Sequence, residues 1–155
     1  MTAERVLSID PALRNTGYAV LERRGRDTVL LAYGVIRNAP KLLPSGCLVA
    51  IREQLRDVIL AHKPEVCAIE ATIYVQSFKT AIALGTARGA ALIAAAEHGM
   101  AIYEYAPKEV KQAAVGRGAA DKQQVAFMIR SLLKLRETPP ADAADAIAVG
   151  LAHFQ

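Results

Sequence analysis

Short apolar runs near the start of the chain predict β-strands, and turn-forming residues separate them. The runs cover Val6–Ile9, Gly17–Leu21 and Val29–Val35. One separating segment contains Pro, Asn and Gly, and the other places Gly between charged residues, as is typical of turns. Three strands joined by short turns predict an antiparallel meander.

Further along the chain, the spacing of apolar residues changes to that of helices. Apolar side chains recur three and four positions apart over about Ser45–Lys63, and Pro64 stops this helix. A short strand over Val66–Ile69 precedes a second long helix over Lys79–His98. The remaining predicted elements are a strand at Ala101–Tyr105, helices near Pro107–Val115 and Lys122–Leu135, and a last helix from Asp142. This order predicts an α/β fold with a mixed central sheet flanked by helices.

Composition sets limits on the class of protein. A chain of 155 residues with 53% apolar and 22% charged residues fits one globular domain, so we expect a single domain over residues 1–155. The formal net charge is +4. A basic protein with clustered acids favours an anionic partner held around a metal centre.

The cysteines, the first residues and the longest apolar stretch together indicate where in the cell the protein is found. Cys47 and Cys67 form no closely spaced pair, so we expect buried free thiols in a reducing compartment. The first residues lack the profile of a signal peptide. The most apolar stretch, Ala81–Ala96, is interrupted by Arg88 and is too short to span a membrane. We therefore expect a cytoplasmic protein without a membrane partner.

Four acids stand where a metal-dependent enzyme would need them. Asp10 and Glu70 each follow a short apolar strand, and Asp142 and Asp145 lie three residues apart at the start of an alanine-rich helix. That spacing places both aspartates on one helix face. Each acid alone has an ordinary structural explanation, and Asp142 could cap its helix. As a set, the four acids predict a site for a hard divalent cation, which prefers oxygen ligands.

The helix over Lys79–His98 carries a stripe of small residues that includes Gly85 and Gly89. Glycine inside a helix costs about 1 kcal/mol relative to alanine, so both positions need a reason. Missing side chains let another backbone approach closely. The sequence alone leaves two partners open, a helix of the same fold or the same helix of a second subunit.

Six blocks of residues match the pattern of a known family, in the family's order and over almost the whole chain. The blocks are Ser8–Pro11 with Thr16–Tyr18, Ala68–Glu70, Leu84–Gly89, Glu104–Pro107, Val110–Gln112 and Ala141–Ala146. In these blocks the chain resembles the RuvC Holliday-junction resolvases. The resemblance implies an RNase H-like fold and a homodimer that resolves four-way DNA junctions by paired symmetric nicks during homologous recombination and DNA repair. It also implies the RuvA–RuvB branch-migration machinery as a partner.

The resemblance also assigns roles to the four acids. The family's metal ligands, which are its catalytic residues, fall on Asp10, Glu70, Asp142 and Asp145. The implied cofactor is Mg²⁺, with two ions per subunit and Mn²⁺ as a substitute. A pair of such ions activates water and stabilises charge on the phosphoryl oxygens.

Contacts with DNA are implied at five further positions. The family's basic residues near the scissile phosphate fall on Lys111 and Lys122, and Arg117 lies in a glycine-flanked loop suited to a phosphate. Where relatives carry an aromatic wedge for the junction centre, this chain has Ile73, with Tyr74 beside it. An apolar wedge can unstack bases, so we expect these two residues to share that role.

Three other functions compete with this interpretation. An ATP-binding protein of the actin and sugar-kinase type also uses an Asp followed by Thr-Gly in its first hairpin, but that fold needs two such domains. An RNA-processing nuclease of the RNase H-like group is the second alternative, against which the Leu84–Gly89 block favours a resolvase. The third is a catalytically inactive junction-binding dimer, which the complete set of acids argues against.

Overall fold

The computed structural model describes residues 4–72, 75–115 and 121–155, with Lys122 described in its backbone alone. The strands are β1 Glu4–Asp10, β2 Asn15–Arg24, β3 Asp27–Arg37, β4 Val66–Glu70 and β5 Ala101–Tyr105. The helices are α1 Pro44–His62, α2 Phe78–Glu97, α3 Pro107–Val115, α4 Lys122–Leu132 and α5 Ala141–His153.

The strands form one mixed sheet in the order β3-β2-β1-β4-β5. Strands β1, β2 and β3 are antiparallel, whereas β4 runs parallel to both β1 and β5. Gly25 adopts a φ of 65° in the tight turn between β2 and β3, a conformation that glycine reaches without strain. The predicted mixed sheet with an N-terminal antiparallel meander is confirmed.

Helices cover both faces of the sheet and bury two separate cores. On one face, α1 and α2 pack over a core that includes Leu7 and Cys67. On the other face, α3, α4 and α5 pack over a core that includes Val6 and Ala68. Neighbouring residues of one strand thus serve opposite cores, because side chains alternate across a sheet.

Several elements differ in length from the prediction. The meander strands extend beyond their apolar runs because polar residues continue the ladder, as in the pairing of Arg5 with Glu22. Helix α4 ends at Leu132 rather than Leu135. Lys134 adopts a φ of 54°, and the Leu135 N–H donates to the Arg130 carbonyl at 2.9 Å, which closes the helix end.

Both cysteines are buried free thiols, as predicted. Burial raises the pKa of the Cys67 thiol to about 12. None of the helices in the described ranges is long and apolar enough to cross a bilayer.

Candidate metal centre

Two of the predicted acids lie at the ends of neighbouring parallel strands. The β1–β4 register pairs Ile9 with Ile69, so the next residues, Asp10 and Glu70, end the two strands at the same edge of the sheet. Both side chains are partly buried. The strands thus deliver two carboxylates to one place.

Helix α5 brings the other two acids to that edge. One carboxylate oxygen from each of Asp10, Asp142 and Asp145 can be chosen so that all three lie within 4.8 Å of one another. Pro140, not Asp142, occupies the N-cap of α5. Asp142 lies instead in the first helical turn, where the helix dipole favours its negative charge. Helix capping therefore does not account for Asp142.

A missing side chain lets α5 approach the sheet closely enough to assemble this cluster. Gly17 pairs with Asp10 across the β1–β2 ladder. A Cβ atom built on Gly17 would lie 1.9 Å from the backbone carbonyl oxygen of Asp142. Near the other end of the helix, a Cβ atom on Gly150 would lie 2.5 Å from Leu21 Cδ1. These glycines and the buried alanines of α5 let the helix pack closely on the strands.

Glu70 stands beside the three-aspartate cluster and links the two grooves around it. The first groove, of about 490 Å³, is lined by Asp10, Glu70, Arg88 and Lys108 among others. The second groove, of about 430 Å³, contains Glu70, Asp145 and Lys111 in its lining. The structure therefore brings all four predicted acids to one region, with three of them in a tight cluster.

The clustered donors fit a hard divalent cation. All three are carboxylate oxygens, the ligand type that Mg²⁺ prefers over sulfur or imidazole. Opposed oxygens around an octahedral Mg²⁺ lie about 4.2 Å apart, and the three carboxylate oxygens lie within 4.8 Å of one another, so the cluster is compact enough for one ion.

Cationic side chains line the same two grooves. Lys111 is exposed on α3 and lines the second groove together with Glu70 and Asp145. Lys122 begins α4, and its side chain lies outside the described residues, as do Arg117, Ile73 and Tyr74. The expected DNA contacts of these four stay predictions.

The small residues of α2 divide between two faces: alanines such as Ala87 and Ala91 are buried in the core, whereas Gly85 and Gly89 do not pack against the other described parts of the subunit. A Cβ atom on Gly85 or Gly89 would meet no other atom within 4 Å among the described residues. Phe78, Ile82 and Ile93 on the same helix are 90%, 67% and 52% exposed. A close contact with a helix of the same subunit therefore does not explain the two glycines.

Two residues of the site were not singled out from the sequence. Gly17 was assigned only to the boundary between a turn and the second strand, although its Thr-Gly-Tyr block hinted at a special position. Arg88 donates from Nη1 to the Glu70 carbonyl oxygen at 2.7 Å. A lone arginine within an apolar helix was the available signal, because a charge in such a setting needs a partner.

Comparisons with known proteins agree with this geometry. The family model for the crossover junction endodeoxyribonuclease RuvC matches residues 6–153. The chain is 55% identical to the crossover junction endodeoxyribonuclease RuvC of Akkermansia muciniphila, over 97% of this chain and 90% of that relative. It is 43% identical to the protein of the same name from Bradyrhizobium diazoefficiens, over 96% and 85% of the two chains.

A solved structure shares the fold. T. thermophilus RuvC in complex with Holliday junction substrate superposes with a TM-score of 0.90 at 35% identity, covering 97% of this chain and 93% of that one. The mixed sheet flanked by helices is thus the RNase H-like fold of the resolvases, as predicted.

Proposed function

Because the chain belongs to the RuvC family of crossover junction endodeoxyribonucleases, we propose that Asp10, Glu70, Asp142 and Asp145 form its catalytic metal centre. The protein is a Holliday-junction resolvase, an endonuclease of DNA recombination and repair. The observation that carries the assignment of the site is the convergence of three aspartate oxygens within 4.8 Å at the edge where Glu70 also ends its strand.

The four carboxylates would hold Mg²⁺, two ions per subunit in our proposal, with Mn²⁺ as a substitute. The bound metal would supply a water nucleophile at neutral pH and stabilise charge on the phosphoryl oxygens. Lys111 and Lys108, which line the adjoining grooves, attract the phosphate backbone and offset its negative charge. The acids alone would repel DNA, so these lysines are needed for the strand to approach.

A homodimer through α2 is the second part of the proposal. Paired symmetric nicks require two centres related by a twofold axis, which a dimer of this chain provides. One face of α2 carries the exposed apolar side chains of Phe78, Ile82 and Ile93. Gly85 and Gly89 lie on the same helix without packing against any other described part of the chain. The absence of side chains at these two glycines lets two helix backbones approach closely.

The remaining expectations rest on the family pattern. We propose that Lys111, Lys122 and Arg117 contact DNA phosphates, and that Ile73 and Tyr74 wedge the junction centre. We also propose one nuclease domain over residues 1–155, a cytoplasmic location where junction DNA is formed, and cooperation with the RuvA–RuvB machinery.

A comparison of substrates tests the proposed function. Purified protein with Mg²⁺ would be given a four-way DNA junction, a DNA duplex of matching arm sequence and an RNA–DNA hybrid. We expect symmetric nicks in the junction and little cleavage of the other two. Preferential cleavage of the hybrid would favour an RNA-processing nuclease, and junction binding without cleavage would favour an inactive binding protein. The Asp145→Asn variant controls for contaminating nuclease.

A further inference from the structure

Arg88 joins three elements beside the metal centre. It extends from α2, and its side chain is 16% exposed. Nη1 donates to the main-chain carbonyl oxygen of Glu70 at the end of β4, at 2.7 Å. Nη2 donates to Glu104 Oε1 in β5, also at 2.7 Å. One guanidinium therefore ties α2 to the ends of two strands.

The rigid shape of the guanidinium makes this bridge more than an attraction between charges. Its donors lie in one plane in fixed directions, so two simultaneous contacts fix both position and orientation. On the other side of the same peptide, the Ala71 N–H donates to the Tyr105 carbonyl oxygen at 2.8 Å. The backbone that carries Glu70 is thus held from both directions.

We propose that Arg88 is a positioning residue for Glu70, which sets the direction in which that carboxylate enters the metal centre. The inference rests on the proposed function of the four acids. It deepens that function by linking the α2 face proposed for dimerisation to the placement of a metal ligand. Groups that orient metal ligands typically change metal affinity or activity by about 10- to 100-fold when removed.

A direct role of Arg88 in binding DNA is the main alternative. Two of its nitrogens already contact protein oxygens, and the Glu104 carboxylate offsets its charge. A phosphate would have to compete with both contacts. The positioning role therefore predicts a defect in metal use, whereas a phosphate contact predicts a defect in DNA affinity and in its salt dependence.

The test compares Arg88→Ala and the milder Arg88→Lys with wild type in the full-length protein. Three quantities are measured: Mn²⁺ affinity by calorimetry without DNA, single-turnover junction cleavage against Mg²⁺ concentration, and metal-free junction affinity at several salt concentrations. For Arg88→Ala we expect Mn²⁺ affinity to fall about 10- to 100-fold, a higher Mg²⁺ requirement and an unchanged junction Kd. The Mn²⁺ affinity of Arg88→Lys should lie between those of wild type and Arg88→Ala, because lysine keeps the charge but lacks the planar pair of donors.

Arg52→Ala is the matched control. Arg52 in α1 makes a two-point contact with Glu97 of α2, at 2.6 and 2.7 Å, so its loss also removes an arginine–glutamate bridge to that helix. We expect this variant to keep wild-type Mn²⁺ affinity. An equal loss of Mn²⁺ affinity in Arg52→Ala and Arg88→Ala would mean that Arg88 only stabilises α2, and would overturn the proposal.

Two further outcomes are decisive. Unchanged Mn²⁺ affinity with weaker junction binding and a shallower salt dependence in both Arg88 variants would assign Arg88 to DNA and overturn the positioning role. A wild-type protein that neither binds Mn²⁺ nor cleaves the junction would instead contradict the proposed metal centre itself, and the role of Arg88 would fall with it.

Discussion

Gly17 shows how a single absent side chain controls the assembly of the metal centre. A methyl group at this position would lie 1.9 Å from the Asp142 carbonyl oxygen, and a backbone atom in a helix cannot turn aside as a flexible side chain can. We expect Gly17→Ala to push the start of α5 away from β1. Overpacking of this kind costs about 1–3 kcal/mol, and cleavage should fall because Asp142 moves away from Asp10. Urea unfolding and single-turnover cleavage measure the two effects.

Gly46→Ala is the control for that variant. A Cβ atom on Gly46 would approach the Leu42 side chain, with 2.8 Å to its Cδ1, and the end of that side chain can rotate. Alanine also favours the helix, so stability and cleavage should be kept. If Gly17→Ala behaved like Gly46→Ala, the close approach of α5 would not be what assembles the site.

Glu22 gives the stability of the sheet a dependence on pH. Its carboxylate is buried between Arg5 and Arg24, each with a nitrogen 2.5 Å from one of its oxygens. Hydrogen bonds from Arg5 and then Arg24 hold the pKa of Glu22 below its usual range. Because the folded-state pKa is lowered, the ionised carboxylate stabilises the folded protein at pH values above the ordinary glutamate pKa of about 4.3. This stabilisation is lost as the pH falls through the folded-state pKa.

We therefore expect Glu22→Gln to be less stable than wild type at neutral pH, with the difference shrinking in acid. Unfolding free energies from urea titrations across the acidic range would show the two curves converging as the pH falls. Parallel curves at every pH would mean that the ion pairs of Glu22 do not set this dependence.

At the residue scale, the sequence predicts the acids but not the contacts that place them. Asp10 and Glu70 were found because each ends an apolar run, and Asp142 and Asp145 because of their helical spacing. The partner of Arg88 could not be found in this way. Its hydrogen bond joins residues 18 positions apart, through a backbone carbonyl that any residue at position 70 would offer.

Among the elements, α2 carries the clearest sign of a missing partner. Its exposed face combines Phe78, Ile82 and Ile93 with two glycines that no other described part of the chain approaches. Gly85→Leu would place a bulky side chain on the path where a second α2 is proposed to lie. We expect this variant to be monomeric where wild type is dimeric, as measured by light scattering at equal concentration.

Ala61→Leu provides the matched control, since Ala61 is exposed on α1 and the change also adds a leucine to a helix surface. This variant should keep the wild-type mass. A monomeric wild type, or a dimer of normal stability in Gly85→Leu, would contradict the role of α2.

The elements themselves were predicted well because their patterns are local. The boundaries were less accurate where polar residues continue a ladder, as at Glu4 opposite Arg23, or where backbone geometry ends a helix, as at Lys134. These features depend on pairing and on φ angles that apolar spacing does not encode. The partner of Gly85 and Gly89 was left open because the sequence does not show which residues of α2 pack against the rest of the fold.

For the whole molecule, the sheet order matters most, because it places β1 between β2 and β4. The ends of β1 and β4 then lie side by side, and α5 crosses the sheet with its first turn at that edge. The order of elements along the chain predicts a mixed sheet but not which strands are neighbours. The family resemblance implied an RNase H-like fold, and the structure shows the strand order together with the close packing of α5 at Gly17.

The clustered carboxylates are proposed to perform metal-dependent junction cleavage, and the Asp10→Asn variant removes the charge of one of them. Single-turnover cleavage of a four-way junction in Mg²⁺ would be measured beside metal-free junction affinity, with Asp57→Asn on the exposed face of α1 as control. We expect Asp10→Asn to lose nearly all cleavage while still binding the junction, because the amide lacks the charge that holds the metal, and Asp57→Asn to match wild type. Cleavage by Asp10→Asn at a near wild-type rate would mean that these carboxylates are not the catalytic metal centre.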